Sequence, residues 1–350
     1  MRIEKRDIEE LWEKLGVVRV LEKELFSKLV RSSLNVKVLD GPPYRIDKSF
    51  RRYSRKSTVF ETARRRILIH AEEARDSGIK GRYLIEQGII GGAWSLYGTH
   101  KRGVAKNVER VDVDPSLFTA LVKRVAMFYG ADLVGVAPVD DKWLYEEFEL
   151  PFRAEYVVVL GFEMDPGASS TPVLSAEVGL GYSRMSTSSL QLAEFLSRLG
   201  YHALPQGNEG GLSIPFAVLA GLGELGRSGL LVTPEYGSRV RLAKVFTDAP
   251  LNPDRPISFG LWDKCMDCCI CADNCPAGAI PYGPPSWSGG AGQKGVLKWR
   301  IDPVKCYSFW AMLGRSCGLC IYACPFSRMP WHIHRMEAKR LALRSLDSKL

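Results

Sequence analysis

The sequence has no cysteine before Cys265 and no apolar run of the length that a membrane-spanning helix needs. Its N-terminal stretch, MRIEKRDIEELWEKLGVVRVLEKELFSKLV, interleaves charged and apolar residues and contains no apolar leader segment. This pattern predicts an amphipathic helix and gives no signal for export. We therefore expect a cytoplasmic protein without a membrane span. In a reducing compartment, clustered thiols bind metal or carry out redox chemistry more often than they form disulfides.

The composition excludes a disordered chain, because 46% of the 350 residues are hydrophobic. The formal net charge of +9 would suit nucleic acid, an anionic membrane surface or an acidic redox partner. Lysines and arginines on a solvated surface explain the same sum, so we expect no nucleic-acid partner. Residues 1–110 are basic and turn-rich, which predicts a segment wrapped around the core, with a polyanion-binding face as the alternative.

Helical and strand patterns alternate after this segment. Asp114 can cap a helix whose first residue is Pro115. Further strands are predicted at 133–137, 156–164 and 202–205, and further helices at 172–199 and 214–225. This order predicts an α/β sandwich with a cysteine-rich segment inserted near its end. The predicted divisions are an N-terminal segment, an α/β core, a ferredoxin-like segment and a C-terminal helix, at 1–110, 111–257, 258–330 and 331–350.

The nine cysteines fall into two runs. The first run has the spacing CxxCxxCxxxCP, and the second has CxxCxxxCP with one outlying cysteine upstream. Two-residue spacing lets three thiolates converge on one [4Fe-4S] cluster, while the cysteine beside proline reaches the neighbouring cluster. The prediction is two clusters, one held by Cys265, Cys268, Cys271 and Cys324 and the other by Cys275, Cys306, Cys317 and Cys320.

Two of these cysteines depart from the pattern. Ten residues separate Cys306 from Cys317, a longer gap than the usual spacing. Cys269 is left over, and we interpret it as a buried thiol, with substitution for a neighbouring ligand as the alternative. Zinc sites are the alternative to clusters, but four ligands for each ion would leave the prolines and the paired runs unexplained.

Two neighbouring clusters form a path for electrons, and such a path ends at a redox centre. The long α/β core before the cysteine runs is the natural place for that centre. An iron-sulfur relay protein is the non-enzymatic alternative, and it would leave the core without a role. A relay needs an exposed cluster but no substrate cavity.

Three stretches of the core carry a resemblance: GADLVGVAPVDDKWLY, GYSRM and GNEGGLSIPFAVLAGLGELGRSGLLVTPEYGSRVRLAKVFTDAPLNPDRPISFG. Together with both cysteine runs, they resemble the corrinoid-dependent reductive dehalogenases over about residues 112–329. The resemblance implies a nitroreductase-like α/β core that binds a corrinoid, with the inserted clusters leading electrons to its cobalt. It also implies an oxidoreductase that replaces a carbon-bound halogen by hydrogen.

The same resemblance assigns site residues. It implies that Tyr182 is the proton donor, with Arg241 as its supporting cation and Asn208 as an amide in the pocket; Arg239 is the alternative to Arg241. Tyrosine suits this role because it stays protonated at neutral pH, and a nearby cation stabilises the phenolate left after transfer. Contacts to the corrinoid are assigned to Gly207, Asn208, Tyr236 and Trp310.

The glycines of AGLGELGRSG follow no strand pattern, so we interpret them as positions of close packing against the macrocycle rather than as a phosphate-binding loop. None of the five histidines lies in the DxHxxG pattern by which some corrinoid proteins ligate cobalt.

The resemblance implies a small halogenated organic substrate and a low-potential electron donor such as a ferredoxin or flavodoxin. Respiratory members of the family carry a twin-arginine leader, which this N-terminus does not show, so we expect a cytoplasmic role. The rival family is epoxyqueuosine reductase, a related corrinoid enzyme that modifies tRNA. Its acid is an aspartate and its core precedes a helical-repeat tail, whereas 26 residues follow Cys324 here.

Overall fold

The computed structural model describes residues 18–58, 109–168, 174–289, 294–329 and 331–347. In chain order, the helices are α1 (Val18–Ser33), α2 (Pro115–Phe128), α3 (Leu174–Arg198), α4 (Ser213–Leu219), α5 (Leu261–Asp267), α6 (Ile270–Asp273), α7 (Pro303–Leu313), α8 (Leu319–Ala323) and α9 (His332–Asp347). The strands are β1 (Lys37–Val38), β2 (Leu133–Pro138), β3 (Tyr156–Glu163), β4 (Ala203–Gln206), β5 (Glu224–Leu225), β6 (Leu231–Val232), β7 (Val240–Thr247) and β8 (Ile257–Ser258).

A four-stranded sheet in the order β2-β3-β7-β4 forms the centre of the described chain. Each neighbouring pair in it is antiparallel. Strand β3 is buried from Val157 to Phe162, which explains its unbroken apolar sequence, because helices cover both faces of the sheet. The prediction of an α/β architecture is confirmed.

Helices α2 and α3 cover one face of the sheet. Helix α2 begins where the sequence predicts, since the Asp114 carboxylate accepts from the backbone N–H groups of Ser116 and Leu117 at 2.9 and 3.0 Å. The apolar side chains of both helices pack on the sheet in one cluster, which includes Phe118, Val122, Leu160, Phe162, Met185, Leu192 and Val245. This face carries the tyrosine of the candidate site.

Helices α1, α4 and α9 cover the other face. Their cluster includes Phe26, Val30, Leu133, Val159, Phe216, Tyr236, Phe246 and Ala338. The chain then continues from α1 over the surface, where the rings of Tyr44 and Phe50 lie 5.0 and 5.7 Å from that of Trp143. Residues 1–17 and 59–108 of the predicted wrapping segment lie outside the described residues, and the domain divisions stay a prediction.

The stretch after α4 differs from its prediction. Helix α4 ends at Leu219 and not near 225, because the chain turns at Gly221, whose φ of +68° favours glycine. A Cβ atom at Gly221 would lie 2.5 Å from the Arg255 carbonyl oxygen, and one at Gly223 would lie 2.2 Å from that of Val232. The glycines thus serve close packing as predicted, but against the chain's own backbone.

The cysteine-rich segment consists of short helices and turns packed against the end of the core. Backbone approach at Gly237 joins the two parts, since a Cβ atom there would lie 2.4 Å from the Ser327 nitrogen. Ser238 adds a hydrogen bond from its N–H to the Ser327 hydroxyl at 3.1 Å. None of the helices among the described residues has the length and apolar composition that crossing a membrane requires.

Candidate active site

Tyr182, Asn208 and Arg241 come together although they lie on different elements. Tyr182 is on α3, Asn208 follows β4, and Arg241 is near the start of β7. The Asn208 side-chain nitrogen donates to the Tyr182 hydroxyl at 3.2 Å. The guanidinium carbon of Arg241 lies 4.8 Å from the centre of the Tyr182 ring. The arrangement places an amide and a cation around one phenol.

Arg241 reaches the tyrosine because of its position in β7. It pairs with Phe162 of β3, whose side chain lies in the cluster beneath α2 and α3, and directly paired residues share a face of the sheet. Gly181, next to the tyrosine, gives the arginine room, since a Cβ atom there would lie 3.0 Å from Arg241 Cδ. A side chain at position 181 would therefore be in tight contact with the aliphatic part of Arg241 and would require a small shift of it.

Arg239, the alternative basic residue, is engaged elsewhere. It is 6% exposed, and it donates to the Ser327 carbonyl at 2.9 Å and to the Met164 carbonyl at a shorter distance. It also pairs with Glu163 at 3.1 Å. Arg239 ties the sheet to the cysteine-rich segment, which leaves Arg241 as the cation beside the phenol.

Several buried polar atoms have no hydrogen-bond partner among the described residues. They include Arg241 Nε and Gln206 Oε1, on the strands next to Asn208, and Trp310 Nε1 on α7. A buried polar atom without a partner costs about 1–3 kcal/mol, so such atoms mark places where a bound molecule would supply the partner.

The cysteines gather into two groups. Burial raises the pKa of Cys271 to about 12, and repulsion from Cys265, Cys324 and Cys268 adds to the effect. Burial likewise raises the pKa of Cys306 to about 11, with repulsion from Cys317 and Cys275. Cys271 of the first run thus interacts with Cys324, the proline-linked cysteine of the second run. Cys306 interacts with Cys275, the proline-linked cysteine of the first run, and with Cys317. These interactions agree with the predicted division of the ligands, which stays a prediction.

The two groups are neighbours. Burial raises the pKa of Cys320 to about 12, and both Cys306 of its own group and Cys271 of the other group contribute repulsion. Thiolates are the iron ligands, so such buried thiols need a cation to hold them deprotonated. Iron supplies that charge in a cluster.

The described residues contain no group of three His, Cys, Asp or Glu side chains placed to hold a single metal ion. A cubane spreads four thiolates over its irons, whereas the ligands of one zinc ion converge on a point. Cys269 is half-buried rather than fully buried, and its sulfur lies 4.0 Å from the Tyr282 carbonyl oxygen.

The chain is similar to known proteins in its cysteine-rich segment and in its core. The family model for the 4Fe-4S dicluster domain matches residues 264–327. The tetrachloroethene reductive dehalogenase of Sulfurospirillum multivorans is 36% identical over 262 residues, covering 63% of this chain and 52% of the relative. A solved reductive dehalogenase with B12-dependent dehalogenation is 25% identical, with a TM-score of 0.72 over 95% of this chain and 49% of that chain.

In both sequence and structure, the chain is similar to reductive dehalogenases. It spans about half the length of the curated relatives it matches. The rival family gives a much shorter match, since an epoxyqueuosine reductase of Bacillus cereus is 42% identical over 64 residues, or 18% of this chain and 16% of the relative. The dicluster match supports two [4Fe-4S] clusters, as the cysteine runs predicted.

The residues that the resemblance assigns to the corrinoid lie in different surroundings. Gly207 lies beside Asn208, and its carbonyl accepts from Lys244 Nζ at 2.7 Å. Trp310 is half-buried, on the helix that carries Cys306. Tyr236 is 4% exposed, and its ring packs 5.8 Å from that of Phe26 on the opposite face of the sheet from Tyr182. The corrinoid contacts stay a prediction, and the packing of Tyr236 gives that residue no support.

Lys244 is a buried residue that the sequence reasoning missed. It is fully buried on β7, on the face opposite Arg241, and its Nζ donates to the Gly207 and Gly211 carbonyls at 2.7 and 3.2 Å. A third hydrogen bond of 2.7 Å goes to the Ser213 hydroxyl. Lys244 therefore fixes the loop that carries Asn208. Nothing in the apolar-looking strand sequence marks it, because its partners are two backbone carbonyls and one serine hydroxyl from a separate loop.

Replacing Lys244 with Met should change how stability depends on pH. Burial lowers the pKa of Lys244 to about 7 in the folded chain, whereas an unfolded lysine titrates near 10.4. Between these values the unfolded chain binds more protons, so this group makes the wild type more stable as pH rises, by at most about 1.4 kcal/mol per pH unit. Denaturant unfolding from pH 7 to 9 should show this slope in the wild type and lose it in Lys244→Met.

Lys123→Met is the matched control, because Lys123 pairs with Asp254 in a partly exposed bridge at 2.5 Å. It should leave the slope unchanged. Equal slopes in the wild type and Lys244→Met would contradict the assignment.

A cavity of about 640 Å³ lies away from this site. Its lining includes Val139, Leu150, Phe152 and Ala154, next to the end of β3 at Tyr156. Arg241 pairs at the other end, with Phe162. Six residues of strand separate these ends by about 20 Å. This cavity is therefore not the space beside Tyr182.

Proposed function

We propose that this protein is a reductive dehalogenase that replaces a carbon-bound halogen of a small organic molecule by hydrogen. The reaction consumes two electrons and one proton and yields a C–H bond and a halide ion. The contact of Tyr182 with both Asn208 and Arg241 carries the proposal, because it supplies a proton donor with a cation beside it. The sequence similarity to reductive dehalogenases supports the same chemistry.

Tyr182 donates the proton from its hydroxyl to the carbon that loses the halogen. The Arg241 guanidinium, over the ring, stabilises the negative charge left on the phenolate. Asn208 holds the hydroxyl through a hydrogen bond of 3.2 Å, which directs the O–H toward the space that the substrate occupies. Arg241 Nε, buried and without a partner among the described residues, is available to donate to substrate or halide.

The cysteines carry the electrons into the protein. We propose that Cys265, Cys268, Cys271 and Cys324 hold one cluster and that Cys275, Cys306, Cys317 and Cys320 hold the other. The mutual repulsion of the thiols supports this division, and the repulsion of Cys320 by Cys271 supports neighbouring clusters. Close clusters pass electrons in single steps, so two reductions of the path supply one turnover.

A corrinoid is the cofactor proposed at the end of this path, since a solved relative is B12-dependent. The chain's residues fit a large cofactor rich in amide groups, because Trp310 Nε1 is a buried donor without a partner among the described residues and the Asn208 side chain is exposed. Gly207, Asn208 and Trp310 would hold it. When bound, it supplies low-potential cobalt chemistry for breaking the carbon–halogen bond.

An acidic, low-potential protein such as a ferredoxin or flavodoxin is the proposed electron donor. The formal net charge of +9 supports this choice, because complementary charge speeds the encounter of redox partners. A cytoplasmic location stays a prediction from the N-terminal sequence.

Anaerobic purification, reconstitution with iron, sulfide and cobalamin, and halide release from chlorinated or brominated substrates would test the function. We expect about eight irons, bound cobalt, and halide release in step with loss of the parent compound. Reducible clusters without bound cobalt or halide release across chlorinated ethenes and halophenols would instead favour an iron-sulfur relay.

A further inference from the structure

Arg227 is a buried cation that the proposed chemistry does not use. It follows β5 and is 1% exposed. Its guanidinium carbon lies 5.1 Å from the centre of the Trp299 ring, and Trp299 is itself 1% exposed. A charged group in such a place costs free energy unless its surroundings compensate for the lost water.

The compensation comes from backbone carbonyls. Arg227 donates to the carbonyl of Cys265 at 2.6 and 3.0 Å, and to those of Met266 and Cys268 at 2.9 and 3.1 Å. Further hydrogen bonds of 2.9–3.0 Å go to the carbonyls of residues 281–283. The guanidinium donors thus connect the first cysteine loop, residues 265–275, to the chain that follows it.

The same short segment also holds the start of that loop. The Glu224 carboxylate accepts from the backbone N–H groups of Phe259 and Leu261 at 2.7 and 3.3 Å, at the first turn of α5. Helix α5 carries Cys265. The segment 224–227 therefore contacts the first loop at two places. Glu224 binds the backbone where helix α5 begins, and Arg227 binds the carbonyls of the cysteines.

All the hydrogen bonds of Arg227 among the described residues go to neutral carbonyls. None of them neutralises its charge. A [4Fe-4S] cluster becomes more negative by one charge when it takes up an electron, and the net charge around a cluster tunes its potential. A cation shielded from water acts on that change more strongly than an exposed one.

We propose that Arg227 is a positioning residue for the cluster held by Cys265, Cys268, Cys271 and Cys324, and that its positive charge raises the reduction potential of that cluster relative to the other. The inference rests on the cluster cysteines and not on dehalogenation. It is independent of the proton donor and of the substrate, and its test needs no turnover.

The test is an anaerobic redox titration of the reconstituted protein, in which the signals of the two reduced clusters are followed by electron paramagnetic resonance. Arg227→Gln should lower the ratio of reduced to oxidised first cluster at least tenfold at a fixed potential, or about 59 mV for one electron. Arg227→Lys keeps the charge and should shift the ratio far less. The second cluster should titrate as in the wild type in both variants.

Lys264→Gln is the matched control, because this exposed lysine stands directly before Cys265. Solvent screens its charge, so its removal should change the ratio less than threefold. Unchanged potentials in Arg227→Gln, or equal shifts in the Gln and Lys variants, would overturn the proposal. So would loss of the first cluster from both Arg227 variants, since Arg227 would then serve only in assembling the loop.

Discussion

Replacing Tyr182 with Phe should reduce halide release by ~10²- to 10⁴-fold, the usual contribution of a general acid. Phe keeps the ring beneath Arg241 and removes only the hydroxyl that accepts from Asn208. Iron content, cobalt content and the reduction of both clusters should therefore match the wild type. The measurement is the rate of halide release under excess reductant, together with metal analysis of the same sample.

Tyr156→Phe is the matched control for this prediction. Tyr156 also packs against the cluster beneath α2 and α3, but it lies at the end of β3 far from Arg241. Removing the Tyr156 hydroxyl should keep the rate of halide release within about twofold of the wild type, because Tyr156 lies away from the proposed active site. Wild-type turnover by Tyr182→Phe would remove tyrosine from the mechanism and leave the proton to another group.

The candidate site could be predicted only in part from the residues themselves. A tyrosine on a helix, an asparagine after a strand and an arginine in a strand have no fixed spacing that would reveal their contact. The resemblance to a family selected Tyr182, Asn208 and Arg241, and the fold brings them together because β7 lies next to β4 and beneath α3. The alternating pattern of helices and strands did not predict that neighbouring strands of the sheet run antiparallel.

The two clusters could be predicted because the ligand spacing within each cysteine run is local. Arg227 and Lys244 were not, since each is a buried basic side chain whose partners are mainly backbone carbonyls from distant parts of the chain, and backbone carbonyls have no sequence signature. The extent of α4 was also overestimated. Its apolar pattern continues to Leu225, but the approach of Gly221 to Arg255 ends the helix first.

The exchange of the proline-linked cysteines between the two runs predicts a pattern of iron loss. Cys324→Ala and Cys275→Ala should each remove about four of about eight irons, because each variant takes one ligand from a different [4Fe-4S] cluster. Either loss interrupts the electron path, so halide release should fall below detection in both. Cys269→Ala is the matched control and should keep about eight irons, since its sulfur is directed toward the Tyr282 carbonyl.

Double variants decide which cysteines share a cluster. Cys265→Ala with Cys324→Ala should lose no more iron than either change alone, because both remove ligands of one cluster. Cys265→Ala with Cys275→Ala should lose nearly all of the iron, because each change removes a different cluster. Iron and acid-labile sulfide analysis of the purified proteins measures both outcomes. If the first pair lost all the iron and the second only half, each run would hold its own cluster, and the repulsion of Cys271 by Cys324 would have another origin.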